Sequence, residues 1–145
     1  MNNKPLNLSV RMAVVMGIFL PLAETVRRSN HILDITRFFN WFDDYILGGL
    51  LLLAAYWVTC KKANAIVYLV SAWAFAAGAL ALSFLGQLDY FRTHTTDPGV
   101  FNTSFVAVAK GIIFAYLFVG LALAIKANAI QEQRLLQKLK HQSER

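Results

Sequence analysis

Four apolar stretches of about twenty residues each, at approximately 8–26, 42–60, 63–85 and 105–125, leave this 145-residue chain little room for anything else. A helix needs about 20 residues to cross the roughly 30 Å hydrocarbon core of a bilayer, and all four stretches approach that length. The third and fourth are the longest. Arg11, Pro21 and Glu24 dilute the first, whose basic start and short apolar centre also resemble a signal peptide. No small-x-small cleavage site follows it, since the sequence runs Pro21-Leu22-Ala23-Glu24, so it reads as a retained helix.

Composition agrees. Hydrophobic residues make up 57% of the chain and charged residues 15%, against roughly 45–50% and about 25% in soluble domains. The expected fold is all-α: one polytopic integral membrane domain over residues 1–145, a four-transmembrane-helix bundle with a cytoplasmic helical tail over 126–145. The formal charge of +6 is spread over the ends of the apolar segments, which is the pattern of membrane topology rather than of nucleic-acid binding. A single cysteine, Cys60, rules out an intramolecular disulfide framework and reads as a small packing residue.

Lys and Arg set the orientation. With four spans, the N-terminus, the second loop and the tail share one side, carrying Lys4, Arg11, Lys61, Lys62, Lys126, Arg134, Lys138, Lys140 and Arg145. Arg27, Arg28, Arg37 and Arg92 fall on the other. The positive-inside rule then places both termini in the cytoplasm, with a bacterial inner membrane as the expected location.

The short link between Cys60 and Asn64 predicts an antiparallel hairpin of the second and third spans. In the third, Ala72, Ala76, Ala79, Ser83 and Gly86 form a small-residue stripe that lets helix backbones approach, with Gly48 and Gly49 of the second span placed to receive it. Before the second span, Ile32, Ile35, Phe39 and Phe42 repeat at helical spacing while His31, Asp34 and Arg37 take another face. This amphipathic helical segment either runs unbroken into the second span or lies flat at the surface. Phe38, Trp41 and Tyr45 suit an interfacial belt in both cases. Asp97-Pro98-Gly99 predicts a turn in the loop before the fourth span. Asn102-Thr103-Ser104 matches a glycosylation pattern but lies too near the membrane surface to be persuasive. In the tail, Leu135, Leu136 and Leu139 among basic residues predict a helix that rides on anionic headgroups, packs on a partner, or is simply solvated.

Counting about 20 residues outward from Lys61 and Lys62, from Leu8 and from Lys126 puts Asp43, Asp44, Glu24 and Lys110 about one turn inside the outer boundary. Ser83 falls at a similar level and Gln87 just above. Arg27 and Arg28 are placed to cap this layer, pairing with Glu24 at i,i+3 or i,i+4. An ionisable group in a span costs roughly 2.5–3.5 kcal/mol on insertion scales, so it has a partner or a purpose. Lys110 is expected to be the basic partner of Glu24, Asp43 and Asp44. The layer is then an internal salt-bridge network, a pocket for a small polar or amphiphilic ligand, or an interfacial cluster. Pro21 frees a backbone carbonyl close to it.

No metal or cofactor is expected. His31, His94 and His141 lie outside the spans and match no metal-ligand spacing. HExxH, GxSxG, Walker A and dinucleotide-binding patterns are absent from the sequence, and no nucleophile has an adjacent base. The expected function is therefore non-enzymatic: an accessory or interaction subunit of a membrane complex, docking on a larger membrane-protein partner. The alternative is a homo-oligomeric transport or small-ligand-binding protein that uses Glu24, Arg27, Arg28, Asp43, Asp44 and Lys110. Membrane lipids are expected partners of either.

Overall fold

Of the residues described by the computed structural model (3–27, 29, 42–93 and 101–143), 93% are α-helical and none lies in a strand. Four helices follow one another: α1 (Lys4–Arg27), α2 (Phe42–Thr59), α3 (Ala65–Thr93) and α4 (Thr103–Ser143). All four are long and apolar enough to cross a membrane. Arg28, the amphipathic segment with His31, Asp34, Arg37 and Trp41, the Asp97-Pro98-Gly99 turn and His94 lie outside the described residues.

Local chemistry sets the helix ends. Asn3 starts α1: its Oδ1 accepts the Leu6 N–H at 3.4 Å, and Pro5 stands in the first turn, where no N–H is needed. Asp43 and Asp44 occupy the first turn of α2, at the positive end of its dipole. That helix stops in a Schellman motif, with the Lys62 N–H donating to Trp57 O and the Lys61 N–H to Val58 O. Lys61 takes the left-handed conformation this motif requires, at φ 52°, where glycine is usual. Asn64 is left-handed as well, at φ 57°, and the chain turns straight into α3. Trp57 and Tyr68 stack edge-to-face across this hairpin with centroids 4.8 Å apart. Asn102 caps α4, its Oδ1 accepting the Ser104 N–H at 2.8 Å, so the Asn-Thr-Ser pattern here serves as a helix start.

Helices α1–α2, α2–α3, α3–α4 and α4–α1 pack as neighbours, closing a four-membered ring. Successive helices alternate in direction. Leu6, Val58, Ala65 and Asn128 surround a cavity at one end of the bundle, and Glu24, Asp44, Ser83 and Lys110 surround another at the opposite end. The first is called the turn end below, and the second the cavity end. Leu51, Leu69, Trp73 and Leu117 fill the centre.

Gly48 does not receive the α3 stripe. It packs on α1, where a Cβ would lie 2.5 Å from Gly17 O and 2.8 Å from Pro21 Cγ. Gly17 answers from the other side, since a Cβ there would meet Leu52 Cγ at 2.7 Å and Gly48 O at 2.9 Å. Pro21 has no N–H to give the Gly17 carbonyl, and that carbonyl points at the Gly48 backbone rather than at the cavity. Gly49 has no atom within 4 Å of its would-be Cβ. Within the stripe, Ala72 and Ala76 join the core, Ala79 and Ser83 are half-buried, and Gly86 is exposed.

Helix α4 joins the fourth span and the tail in one piece. Asn3 Nδ2 donates to Ala127 O at 3.4 Å, which marks the level where the bundle ends. Residues 128–143 run on for about 24 Å beyond it at 1.5 Å per residue. Leu135, Leu136 and Leu139 are exposed along that extension. The flanks of the bundle are apolar too: Val15, Leu22, Phe75, Leu82, Phe105 and Ile112 are all half or more exposed. A single soluble chain rarely tolerates apolar surface of this extent.

Candidate functional site

At the cavity end lies a space of about 390 Å³, bounded by the last two turns of α1, the start of α2, the outer half of α3 and the first turns of α4. Its walls are predominantly apolar, from Phe19, Leu20, Leu80, Phe105, Val106 and Ile113. Four charged side chains also reach it: Glu24, Arg27, Asp44 and Lys110. A volume in the range of roughly 300–1,000 Å³ with few polar groups is the usual form of a small-molecule site.

Each charged group is held differently. Glu24, only 5% exposed, accepts a hydrogen bond from Arg27 Nη1 at 3.2 Å, the i,i+3 ion pair that helical spacing allows. Arg27 is itself largely covered, with 15% of its side chain exposed. Lys110 Nζ donates to Ser83 Oγ at 2.9 Å, to Ser83 O at 3.2 Å and to Gln87 Oε1 at 3.4 Å. These oxygens are neutral, so they orient the ammonium without cancelling its charge. Gln87 is 1% exposed and is fixed in turn by donating from Nε2 to Thr103 O at 3.4 Å. Asp44 enters from α2, half-buried and within electrostatic reach of Glu24, Lys110 and Arg27.

The structure thus brings Glu24, Arg27, Asp44 and Lys110 to one space. Asp43 is exposed and does not line it; its Oδ1 accepts the Asp44 N–H at 3.0 Å. The hydrogen bonds of Lys110 given above reach α3, not the carboxylates that the depth count proposed as its partners. The reason is geometric, because Ser83 and Gln87 are one helical turn apart and directly face Lys110 across the α3–α4 seam. Arg28 lies outside the described residues.

Sequence reasoning missed the lock on this end of the α1–α2 pair. Thr25 Oγ1 donates to Pro21 O at 2.6 Å and shares a hydrogen bond with the Tyr45 hydroxyl at 2.5 Å, so Tyr45 is anchored to α1. The Thr25–Tyr45 pairing carries no motif, and only the coincidence of their depths could have suggested it.

It also missed the way the ring is closed. Ser9, fully buried, receives the Trp73 Nε1–H at 3.0 Å and donates to Gly120 O at 3.0 Å. One serine therefore ties α1 to α3 and α4 near the turn end, and the Asn3–Ala127 bond adds to it. The cavity opens where these ties stop. A second cavity, about 590 Å³, lies at the turn end between Leu6, Lys61, Lys62, Asn128 and Glu132, with a more polar lining. Among the described residues no cluster of His, Cys, Asp and Glu is arranged to hold a metal ion.

No family model, no curated protein and no solved structure matches this chain.

Proposed function

We propose that this chain is a multi-pass integral membrane protein that binds a small ligand in the charged cavity between α1, α2, α3 and α4. The observation that carries this reading is the convergence of Glu24, Arg27, Asp44 and Lys110 on one largely apolar space of about 390 Å³. Four ionisable groups from three helices, placed together in an apolar segment, are costly to insert. A purely structural network would meet that cost with direct ion pairs. Here the contacts of Lys110 to α3 are with neutral oxygens, which hold an ammonium in position to meet an incoming group.

The orientation that fits the Lys and Arg distribution has both termini in the cytoplasm and the cavity near the outer face, in a bacterial inner membrane. Because four short helices enclose little space, the working unit is a homo-oligomer.

The second reading, an accessory subunit on a larger membrane partner, is favoured by a different observation. The extension of α4 beyond the bundle carries three exposed leucines, Leu135, Leu136 and Leu139, which need a covering surface.

Purification in mild detergent followed by native mass spectrometry separates the two. A stoichiometric ligand lost in Lys110→Ala supports the binding protein. A protein partner retained in that variant, and lost when residues 130–145 are removed, supports the accessory subunit. If Lys110→Met keeps full function, the cavity is not the working site.

A further inference from the structure

Resting on the reading of the cavity as a binding site, we propose that its occupant is a zwitterionic, phosphate-bearing amphiphile drawn from the surrounding leaflet. It reaches the cavity sideways between α1 and α4. Three features of the structure point to this ligand and this route.

The first is where the α1–α4 seam is fastened. Ser9 to Gly120 and Asn3 to Ala127 tie the two helices near the turn end. Toward the other end the same two helices line the cavity instead, with Phe19, Ala23 and Glu24 on one side and Phe105, Ala109 and Lys110 on the other. The seam is therefore closed at one end and parted at the other.

The second is what the parted seam presents. Phe19, Leu22, Val26, Phe101 and Phe105 all line the cavity and are also 39% or more exposed on the flank. Such an apolar rim favours access from lipid tails and repels a strongly hydrated solute, whose polar groups would lose water without recovering hydrogen bonds.

The third is charge. Glu24 and Arg27 pair on α1, while Asp44 on α2 and Lys110 on α4 bring opposite signs to the cavity from different helices. A phosphate at the Lys110 ammonium with a ligand ammonium at Asp44 matches both signs; an anion alone would set a second negative charge near Asp44. The chain of the amphiphile then lies on Leu80, Phe105 and Ile113, shielded from water as the walls require.

The test uses the full-length protein in detergent micelles and a lysophosphatidylethanolamine carrying a photoreactive diazirine in its acyl chain. Cross-links are mapped by peptide mass spectrometry. Labelling is expected on cavity residues such as Phe105 and Ile113, and unlabelled lysophosphatidylethanolamine should compete it away. Glycerophosphoethanolamine, the same headgroup without a chain, should not. Lys110→Met should weaken binding about tenfold, the loss expected of one charge-assisted hydrogen bond. Ala23→Phe should abolish cavity labelling by filling the space, and it leaves every charged group in place. Size-exclusion and thermal unfolding profiles establish that each variant folds.

If the headgroup alone competes as well as the lipid, the cavity binds a polar solute, so the binding reading stands and the amphiphile is wrong. Equal competition by lysophosphatidylglycerol overturns the zwitterionic match. Labelling spread evenly over all four helices, and unchanged in Ala23→Phe, means ordinary lipid solvation and sinks the proposal. If neither compound protects Lys110 from amine modification, the binding reading fails along with it.

Discussion

Trp73 donates its indole N–H to the Ser9 hydroxyl across 3.0 Å, and Ser9 passes the bond on to Gly120 O. With both residues fully buried, no water stands by to replace either partner. Ser9→Ala should cost about 1–2 kcal/mol, because it strands the Trp73 N–H and removes the tie from α1 to two other helices. Trp73→Phe leaves the Ser9–Gly120 bond intact, so its loss should come chiefly from packing. Steric trapping or SDS titration of the two single variants and the double variant would expose the coupling; strictly additive effects would mean that Ser9 and Trp73 act separately.

The approach of α1 and α2 rests on two glycines. Gly48→Ala would place a methyl group 2.5 Å from Gly17 O, a backbone atom that cannot rotate away, so the helices must separate. An expected cost is about 1–3 kcal/mol. Its neighbour provides the control: Gly49→Ala meets nothing within 4 Å and should be neutral or stabilising by up to about 1 kcal/mol through helix propensity. Equal effects at both positions in a thermal unfolding assay would refute the close packing.

Lys61 holds φ at 52°, where an L side chain is strained and glycine is not. Lys61→Gly should therefore stabilise the hairpin by about 0.5–1 kcal/mol, the strain released exceeding the extra entropy of the unfolded chain. A β-branched residue should do the reverse, and Lys61→Val is expected to lose about 1 kcal/mol or more. The same assay ranks Gly, Lys and Val in that order of stability if the Schellman motif stands.

Gln87→Glu sets a carboxylate where Gln87 Oε1 now stands, 3.4 Å from Lys110 Nζ. The new ion pair should hold the fold while occupying the ammonium, so ligand retained through purification should drop about tenfold with little change in stability. Unchanged retention would show that the Lys110 charge is not what the ligand meets.

Much of this architecture is legible in the sequence, and for a definite reason. Each span must satisfy a length and an apolarity that a bilayer dictates, and those are properties of a window of residues rather than of any partner. Depth counting works by the same logic: it put Ser83 at the level of Lys110, and Gln87 close above. Which helix faces which is another matter. In a chain whose core and flanks are both apolar, the periodicity that reveals a buried face in a soluble helix is lost, so Gly48 looked equally able to receive α3 or α1. Ser9 likewise gives no signal, being a lone hydroxyl in the first turns of an apolar helix. The direction of Lys110 failed for a related reason, since opposite charges attract attention in a sequence while a serine and a glutamine one turn apart do not.

Helix α4 has a consequence beyond packing. One unbroken helix carries Lys110 in the cavity, Gly120 at the tie to Ser9, and the leucines at the far tip. With its pivot fastened at Gly120, it is a lever: a tilt of about 5° would move residue 143 by about 3 Å, given 1.5 Å per residue. Filling the cavity should therefore be felt on the opposite side of the bundle without any change in fold. Spin labels at positions 62 and 139 should report that displacement on ligand addition, and an unmoved distance would mean that the arm is decoupled from the cavity.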